Sequence, residues 1–334
     1  MEVARVEELF KNIGDPGRFQ LISYFCLVTN MLFVVSNHLI AVFYAAKTPH
    51  HCKLGVNETL QDFIPVVVRD NKEHLDECRM YTMNGNMNVT EPCRDGWTYN
   101  LQDGETTIIS EFDLVCDNAY KSELSTTVYF GGVLVGSFIY GFLADKYGRK
   151  PALGIALLSG GLLSFAIFIF RNYYAFVVLR FFLGIQTQGS MLVSFTLALE
   201  LFQTKYRARA GVFFGIMAVI GGVVLGILAY LIRDWRYIQL ALSFIPFILL
   251  LLLCFVPESL RWLILHKKYD KAERVVRRIV MFNRLRCPEE ILAEIKESRV
   301  LQDNRAKRIR RPSVIELFRS RSLRKRSLTL ILLW

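Results

Sequence analysis

Long apolar runs separated by short charged turns dominate the chain. Six can be set out, at 19–44, 125–144, 151–170, 175–199, 211–232 and 237–256. Each is long enough to cross a bilayer core as a helix. A seventh begins at Ser327 and runs to Trp334. The turn Gly141-Phe142-Leu143-Ala144-Asp145-Lys146-Tyr147-Gly148-Arg149-Lys150-Pro151 is wedged between the second and third runs. Its four charges are costly in lipid, so the turn belongs at a membrane surface. The pattern predicts an all-α polytopic membrane protein.

The polar stretches sort the two sides. Residues 257–326 carry 21 Lys and Arg against nine acids, and residues 45–123 carry seven basic against 14 acidic side chains. The overall charge of +11 is therefore concentrated after the sixth run, as expected for a cytoplasmic loop. Lys146, Arg149 and Lys150, then Lys205, Arg207 and Arg209, fall on that same side. The N-terminus, residues 1–18, is expected there too. Its charged start leads to the expectation that no cleavable signal peptide is present. No finger or aromatic-interleaved basic groove is present, which argues against nucleic acid as a partner.

The stretch 45–124 then reads as a large extracellular loop. It holds Cys52, Cys78, Cys93 and Cys116 and the glycosylation acceptors Asn57 and Asn88, each in an Asn-x-Thr triplet. Four exported cysteines favour two disulfides, with three pairings open. Cys26, Cys254 and Cys287 are expected to be free. His50-His51-Cys52 lacks a fourth ligand at a sensible spacing, so an ordinary loop is favoured over a metal site. After the sixth run, Ala272, Val275, Val276 and Ile279 alternate with Arg274, Arg277 and Arg278 at helical spacing. This predicts a basic amphipathic helix along the membrane face or docked on the bundle. The patch 305–311 is expected to meet anionic inner-leaflet lipid. Glycines at spacing four, Gly132/Gly136, Gly211/Gly215 and Gly222/Gly226, suit close helix packing; packing within one bundle is favoured over a dimer seam.

Several motifs carry a family resemblance. The turn Gly-x-x-x-Asp-x-x-Gly-Arg-Lys resembles the loop between helices 2 and 3 of major facilitator superfamily transporters. Pro257-Glu258-Ser259-Leu260-Arg261-Trp262-Leu263 resembles the signature of their organic-ion and sugar branches. Gly14-Asp15-Pro16-Gly17-Arg18-Phe19-Gln20, Thr48-Pro49-His50-His51-Cys52 and Ser110-Glu111-Phe112-Asp113-Leu114-Val115-Cys116 resemble the organic-ion branch alone. The chain is similar to the solute carrier 22 family of organic cation, carnitine and organic anion transporters. The resemblance implies the six-helix N-terminal half of a major facilitator fold, at 19–44 and 125–256, plus the start of helix 7 at 327–334. It also implies residence in the plasma membrane and transport of a small organic ion by alternating access between two halves. Because one half cannot rock alone, a C-terminal half or a second copy is an expected partner. The alternative is a truncated, non-transporting membrane protein that modulates a full-length relative or acts as a surface scaffold.

Site residues follow from the same comparison. Asp145, Arg149, Glu200, Arg207, Glu258 and Arg261 match positions that form a charge network closing the cytoplasmic side. The plainer reading is that they only anchor helix ends; the gate is favoured for Asp145, Arg149, Glu258 and Arg261. Substrate-cavity candidates are the polar and aromatic residues of span interiors: Asn30, Asn37, His38, Tyr129, Gln186, Gln188, Met191 and Phe195. Arg180 is a lone Arg within the fourth span, open to a paired functional role or to snorkelling toward the surface. No nucleophile–base pair, nucleotide loop or metal cluster stands out, so neither an enzyme nor a cofactor is expected.

Overall fold

A computed structural model describes residues 16–55, 59–69, 72–82, 89–101 and 105–285. Asn57, Asn88, Cys287, the 305–311 patch and the start of the seventh run lie outside these residues. Among the described residues, six helices are long and apolar enough to span a membrane: Arg18–Tyr44, Cys116–Tyr147, Arg149–Ile169, Tyr173–Glu200, Thr204–Leu231 and Trp235–Leu252, here spans 1 to 6. Span 2 opens with a short 3-10 turn at Cys116–Asn118 before the α-helix Tyr120–Tyr147. Span 5 begins seven residues before the apolar run, because Lys205, Arg207 and Arg209 form its first polar turns. Span 6 stops at Leu252, short of the run's end at Val256. Pro151 costs span 3 no hydrogen bond, since it sits in the first turn, where N–H groups lack intrahelical partners anyway.

Span 4 is the hub. Its buried face runs from Phe176 to Ala198, and span 2 lies along it at backbone distance. A Cβ on Gly132 would sit 2.0 Å from the Phe181 carbonyl oxygen, and one on Gly136 would sit 2.5 Å from that of Ile185. Gly184 answers from the other side, against the Tyr129 carbonyl at 2.3 Å. The span 2 pair therefore packs within the bundle, as expected. The span 5 pairs do not: Gly211, Gly215 and Gly226 have nothing within 4 Å, and Gly222 meets only Leu39. Span 5 turns Val212, Phe213, Val219 and Val223 outward, and span 2 turns out Leu134 and Phe138.

The long loop is not wholly irregular. Its described residues form three antiparallel ribbons: β1 (His50–Cys52) with β6 (Trp97–Tyr99), β2 (Val66–Arg69) with β3 (Lys72–Leu75), and β4 (Arg79–Tyr81) with β5 (Thr90–Pro92). Two disulfides join Cys52 to Cys93 and Cys78 to Cys116. Each closes a segment of about 40 residues, worth about 4 kcal/mol in the chain-entropy account. With Cys52 so bonded, His50-His51-Cys52 cannot offer a thiolate to a metal. His50, Cys78 and Cys116 approach one another, but both of those sulfurs are likewise consumed. Cys26 and Cys254 are free thiols.

Beyond span 6, the helix Leu260–Leu265 is capped by the Ser259 hydroxyl, which accepts from the Trp262 N–H at 3.2 Å. The basic helix Tyr269–Phe282 then buries Tyr269, Ala272, Val276, Ile279 and Val280. It docks on the start of span 1. The Phe19 N–H donates to Asn283 Oδ1 at 3.0 Å, and Asn283 Nδ2 donates to Gln20 Oε1 at 3.1 Å. Gly17 lies so close to the Asn283 side chain that a Cβ there would collide with it.

Candidate functional site

Two groups of side chains stand out, one at the charged end of the bundle and one inside it. At the charged end, Gly148 breaks the chain between spans 2 and 3 with φ +120°, a region open to glycine at little cost. Span 3 then starts with its backbone N–H groups aimed at Glu258. That carboxylate accepts from Arg149 at 3.0 Å, from Lys150 at 3.2 Å and from Ser259 at 3.0 Å. A carboxylate is well placed at the positive end of a helix. Burial nevertheless raises the Glu258 carboxyl above the usual carboxylate range, with the three N–H bonds and the Arg149 charge pulling the other way.

The Arg149 side chain faces span 4. Nη2 donates to Glu200 Oε1 at 3.4 Å, Nε stands 3.2 Å from Glu200 Oε2, and Nη1 donates to the Ala144 carbonyl at 3.1 Å. Both side chains are largely buried, at 13% and 18% exposure. Its pair with Asp145, at 3.1 Å, is different, because Asp145 is 76% exposed and solvent leaves such a pair little strength. Trp262 closes the group: its indole N–H donates to the Asp145 carbonyl at 2.8 Å. His266 stacks on its ring at 4.4 Å, and Lys268 Nζ lies 4.1 Å from the ring centre. Asp145, Arg149, Glu200 and Glu258 thus come together across spans 2, 3, 4 and the segment after 6. Arg207 does not join them; it is half-buried and its Nε makes no hydrogen bond among the described residues. Arg261 sits half-buried in the short helix that follows Glu258.

Inside the bundle the centre is Arg180, about two turns into span 4. It does not snorkel: its exposure is 0%. Its guanidinium lies 4.2 Å from the Tyr129 ring centre and 5.3 Å from that of Tyr44. All three guanidinium nitrogens are buried without a hydrogen-bond partner among the described residues. The Tyr129 hydroxyl is occupied elsewhere, 2.8 Å from His38 Nδ1. Between Glu123 and Asp145, and through the interiors of the other five spans, there is no Asp or Glu. Two cation–π contacts offset part of the desolvation cost, about 2 kcal/mol each, and among the described residues the charge has no counter-ion.

The other interior candidates scatter around this centre. Asn30 is buried and donates to Ser194 Oγ at 3.1 Å, while Asn37 is buried and donates to the Phe33 carbonyl at 2.9 Å. Both leave a side-chain oxygen without a hydrogen bond among the described residues. Gln186 accepts from the Tyr140 hydroxyl. Gln188 and Met191 are half-buried. Phe195 is 36% exposed and meets Phe214 edge-on at 5.0 Å.

Against proteins of known kind, the profile described as sugar (and other) transporter matches residues 79–334. The chain belongs to the sugar (and other) transporter family. Among its relatives in that family, solute carrier family 22 member 20 of Mus musculus is 32% identical, over 98% of this chain and 62% of the relative. Organic anion transporter 3 of Sus scrofa is 31% identical, over 98% of this chain and 61% of its own length. The chain therefore spans about three-fifths of these relatives, and the expected likeness to solute carrier 22 members runs almost throughout. They are transporters, not enzymes. The major facilitator proton:xylose symporter XylE bound to 6-bromo-6-deoxy-D-glucose superposes with a TM-score of 0.53 at 16% identity, covering 86% of this chain and 55% of that one. Partially occluded inward-open XylE from E. coli gives 0.50 at 17%, over 86% and 59%. At such identity the match speaks to fold alone. The six spans form the N-terminal half of the major facilitator fold in a multi-pass membrane protein.

Several residues of this transporter-family bundle escaped the sequence reading. Lys150 Nζ donates to the Val256 carbonyl at 2.7 Å, C-capping the chain after span 6. Tyr44, at the end of span 1, roofs Arg180 with nothing in its sequence context to say so. Glu111 and Arg236 form a bidentate pair, with Arg236 Nε 2.9 Å from both carboxylate oxygens. The motif around Glu111 marked a family, but its partner lies 125 residues on.

Proposed function

We propose that this chain supplies the first half of a plasma-membrane transporter that moves small organic anions by alternating access, with its N-terminus and the charged end of the bundle in the cytoplasm. The observation that carries the charge preference is Arg180. A fixed cation, buried without a counter-ion among the described residues in a bundle whose span interiors hold no acid, makes the space beside it favourable for an anion and unfavourable for a cation. The names of relatives such as organic anion transporter 3 support the same choice. His38, Tyr129, Gln186, Gln188, Met191 and Phe195 border the cavity in this reading, with Asn30 and Asn37 behind them. Asp145, Arg149, Glu200 and Glu258 are the cytoplasmic clasp, made in one state and loosened in the other; Arg207 and Arg261 belong to the same clasp in this reading.

The test is uptake of size-matched labelled organic anions and cations into cells expressing the chain, alone and with the second six-span half of a relative. Anion uptake above mock is expected, with Arg180→Gln lowering it about tenfold or more at equal surface arrival and Arg180→Lys retaining part of it. Preferential cation uptake, or full anion uptake by Arg180→Gln, would overturn the anion assignment.

A further inference from the structure

The long loop brings three metal-ligating residues together from three separate elements. His50 opens β1, Cys78 stands just before β4, and Cys116 opens the 3-10 turn that leads into span 2. A ring nitrogen of His50 and the two sulfurs all lie within 4.8 Å of one another, and each residue is half-buried. Among the described residues, no other three His, Cys, Asp or Glu side chains gather so closely.

The imidazole is set as a ligand would be. His50 Nδ1 lies 2.9 Å from the Thr48 carbonyl, and a carbonyl can only accept, so Nδ1 carries the proton. Nε2 then keeps its lone pair, and it is buried without a hydrogen bond among the described residues. Metal-binding imidazoles are oriented by this same bond from their second nitrogen. Cys78 is held as well: Asp76 Oδ1 accepts its N–H at 2.8 Å and that of Arg79 at 3.1 Å. In the oxidised chain the two sulfurs are bonded to each other and offer a metal nothing. Once reduced, they are free to part. Ligands at zinc's usual bond lengths stand about 3.5–3.8 Å apart in a tetrahedron, a spacing that side-chain rotation within this cluster reaches.

We infer that reduction of the Cys78–Cys116 bond creates a zinc site at His50, Cys78 and Cys116, which replaces the lost covalent tie between the loop and span 2. The site is independent of the transport reading. In the exchange, a dithiol gives two electrons and two protons to the Cys78–Cys116 bond and closes to its own disulfide. Zinc then displaces both thiol protons to solvent, and the two thiolates cancel its charge beside the neutral imidazole. Three protein ligands leave the fourth position to water. The Cys52–Cys93 bond is not equivalent. Cys52 is 0% exposed, and neither sulfur belongs to a comparable group of ligands among the described residues.

The experiment is zinc titration of the purified chain in phosphatidylcholine nanodiscs against a chromophoric chelator. It is run before and after treatment with dithiothreitol, which is then removed without oxygen. Cys26, Cys254 and Cys287 are replaced by Ser throughout, so that no other free thiol takes metal. A single zinc per chain is expected after reduction only, released on re-oxidation, and zinc should raise the melting temperature of the reduced chain alone. His50→Gln should weaken binding by the reduced chain about tenfold or more. Cys78→Ser should abolish it, and Cys52→Ser with Cys93→Ser should leave it. His50→Gln keeps both loop disulfides in the oxidised state, so a parental oxidised melt confirms that it folds. Equal zinc affinity in the oxidised chain, parental binding in reduced His50→Gln, or loss of the zinc when Cys52 and Cys93 are replaced would each overturn the assignment; the last would give the metal to the other cysteine pair.

Discussion

The Glu258 carboxylate accepts the backbone N–H of Arg149 at 3.0 Å, across 109 residues of sequence. A residue that follows span 6 thus serves as the N-terminal cap of span 3. Local caps come from the residue just before a helix, but here that residue is Gly148, which has no side chain to offer. The geometry explains why both halves of the relationship are specified: the glycine makes room and the carboxylate fills it.

Gly148→Ala should therefore be among the most damaging small substitutions in the chain. Its φ of +120° strains any L residue, and the new Cβ would stand 2.5 Å from Glu258 Oε2 and 3.3 Å from the Trp262 ring. A loss of about 2–3 kcal/mol is expected, read as a lowered melting temperature of the detergent-purified chain. A melt matching the parent would show that the turn can relax at no cost.

Glu258 also gives the clasp a signed pH response. Its folded carboxyl holds the proton more tightly than the usual value of 4.5. Between that value and its own raised one, the folded state binds more protons than the unfolded, so this group's contribution to stability falls as pH rises through the window and is largest at the acidic side. Melting temperatures of the parent and Glu258→Gln measured across mildly acidic pH should show it: the parent should gain on the variant as pH falls toward 4.5. A constant difference would mean that Glu258 titrates as an ordinary surface carboxylate.

At the other end, Glu111 ties the long loop to the membrane bundle. Its carboxylate takes the Trp235 indole N–H at 2.9 Å as well as the Arg236 fork. Arg236 in turn donates Nη1 to the Phe168 carbonyl at 2.8 Å, at the C-terminal end of span 3. The Arg236 side chain is 9% exposed, so Glu111→Ala leaves a buried cation without its counter-charge, at a cost of about 3 kcal/mol. Glu111→Ala paired with Arg236→Met should recover much of that loss in thermal unfolding, because both charges leave together. If the double variant is no better than the single one, the pair is not coupled.

What the sequence disclosed and what it hid divide by range. Apolar run length announced all six spans, because a bilayer sets a minimum length that few other constraints imitate. The glycine-bounded turn placed Asp145 and Arg149 within a few residues of each other, and the break at Gly148 leaves them 3.1 Å apart although they belong to different helices. Tyr44 over Arg180, Glu111 with Arg236, and the capping of span 3 by Glu258 join elements distant in sequence, and no periodicity carries such pairings. Arg180 illustrates the limit: its position near a span end allowed snorkelling, and only the rings of Tyr44 and Tyr129 show that it stays inside. The disulfide pairing was one of three until the ribbons brought Cys52 beside Cys93.

The glycines of spans 2 and 5 look alike in sequence and should behave oppositely. Gly132 has the Phe181 carbonyl oxygen 2.0 Å from where a Cβ would go, and backbone on both sides leaves no flexible side chain to yield. Gly132→Ala must push span 2 off span 4, at about 2–3 kcal/mol. Gly215 has nothing within 4 Å; Gly215→Ala should be neutral in this bundle or stabilise it by up to about 1 kcal/mol through helix propensity. The pair of melts separates two uses of the same spacing. Span 2 spends its small residues on contact inside the bundle, whereas the open glycines of span 5 leave a smooth outward face. If Gly215→Ala leaves the melt intact but lowers uptake when a second half is co-expressed, that face is where the halves meet. If neither changes, lipid alone covers it, and the interface must be sought on span 2 beside Leu134 and Phe138.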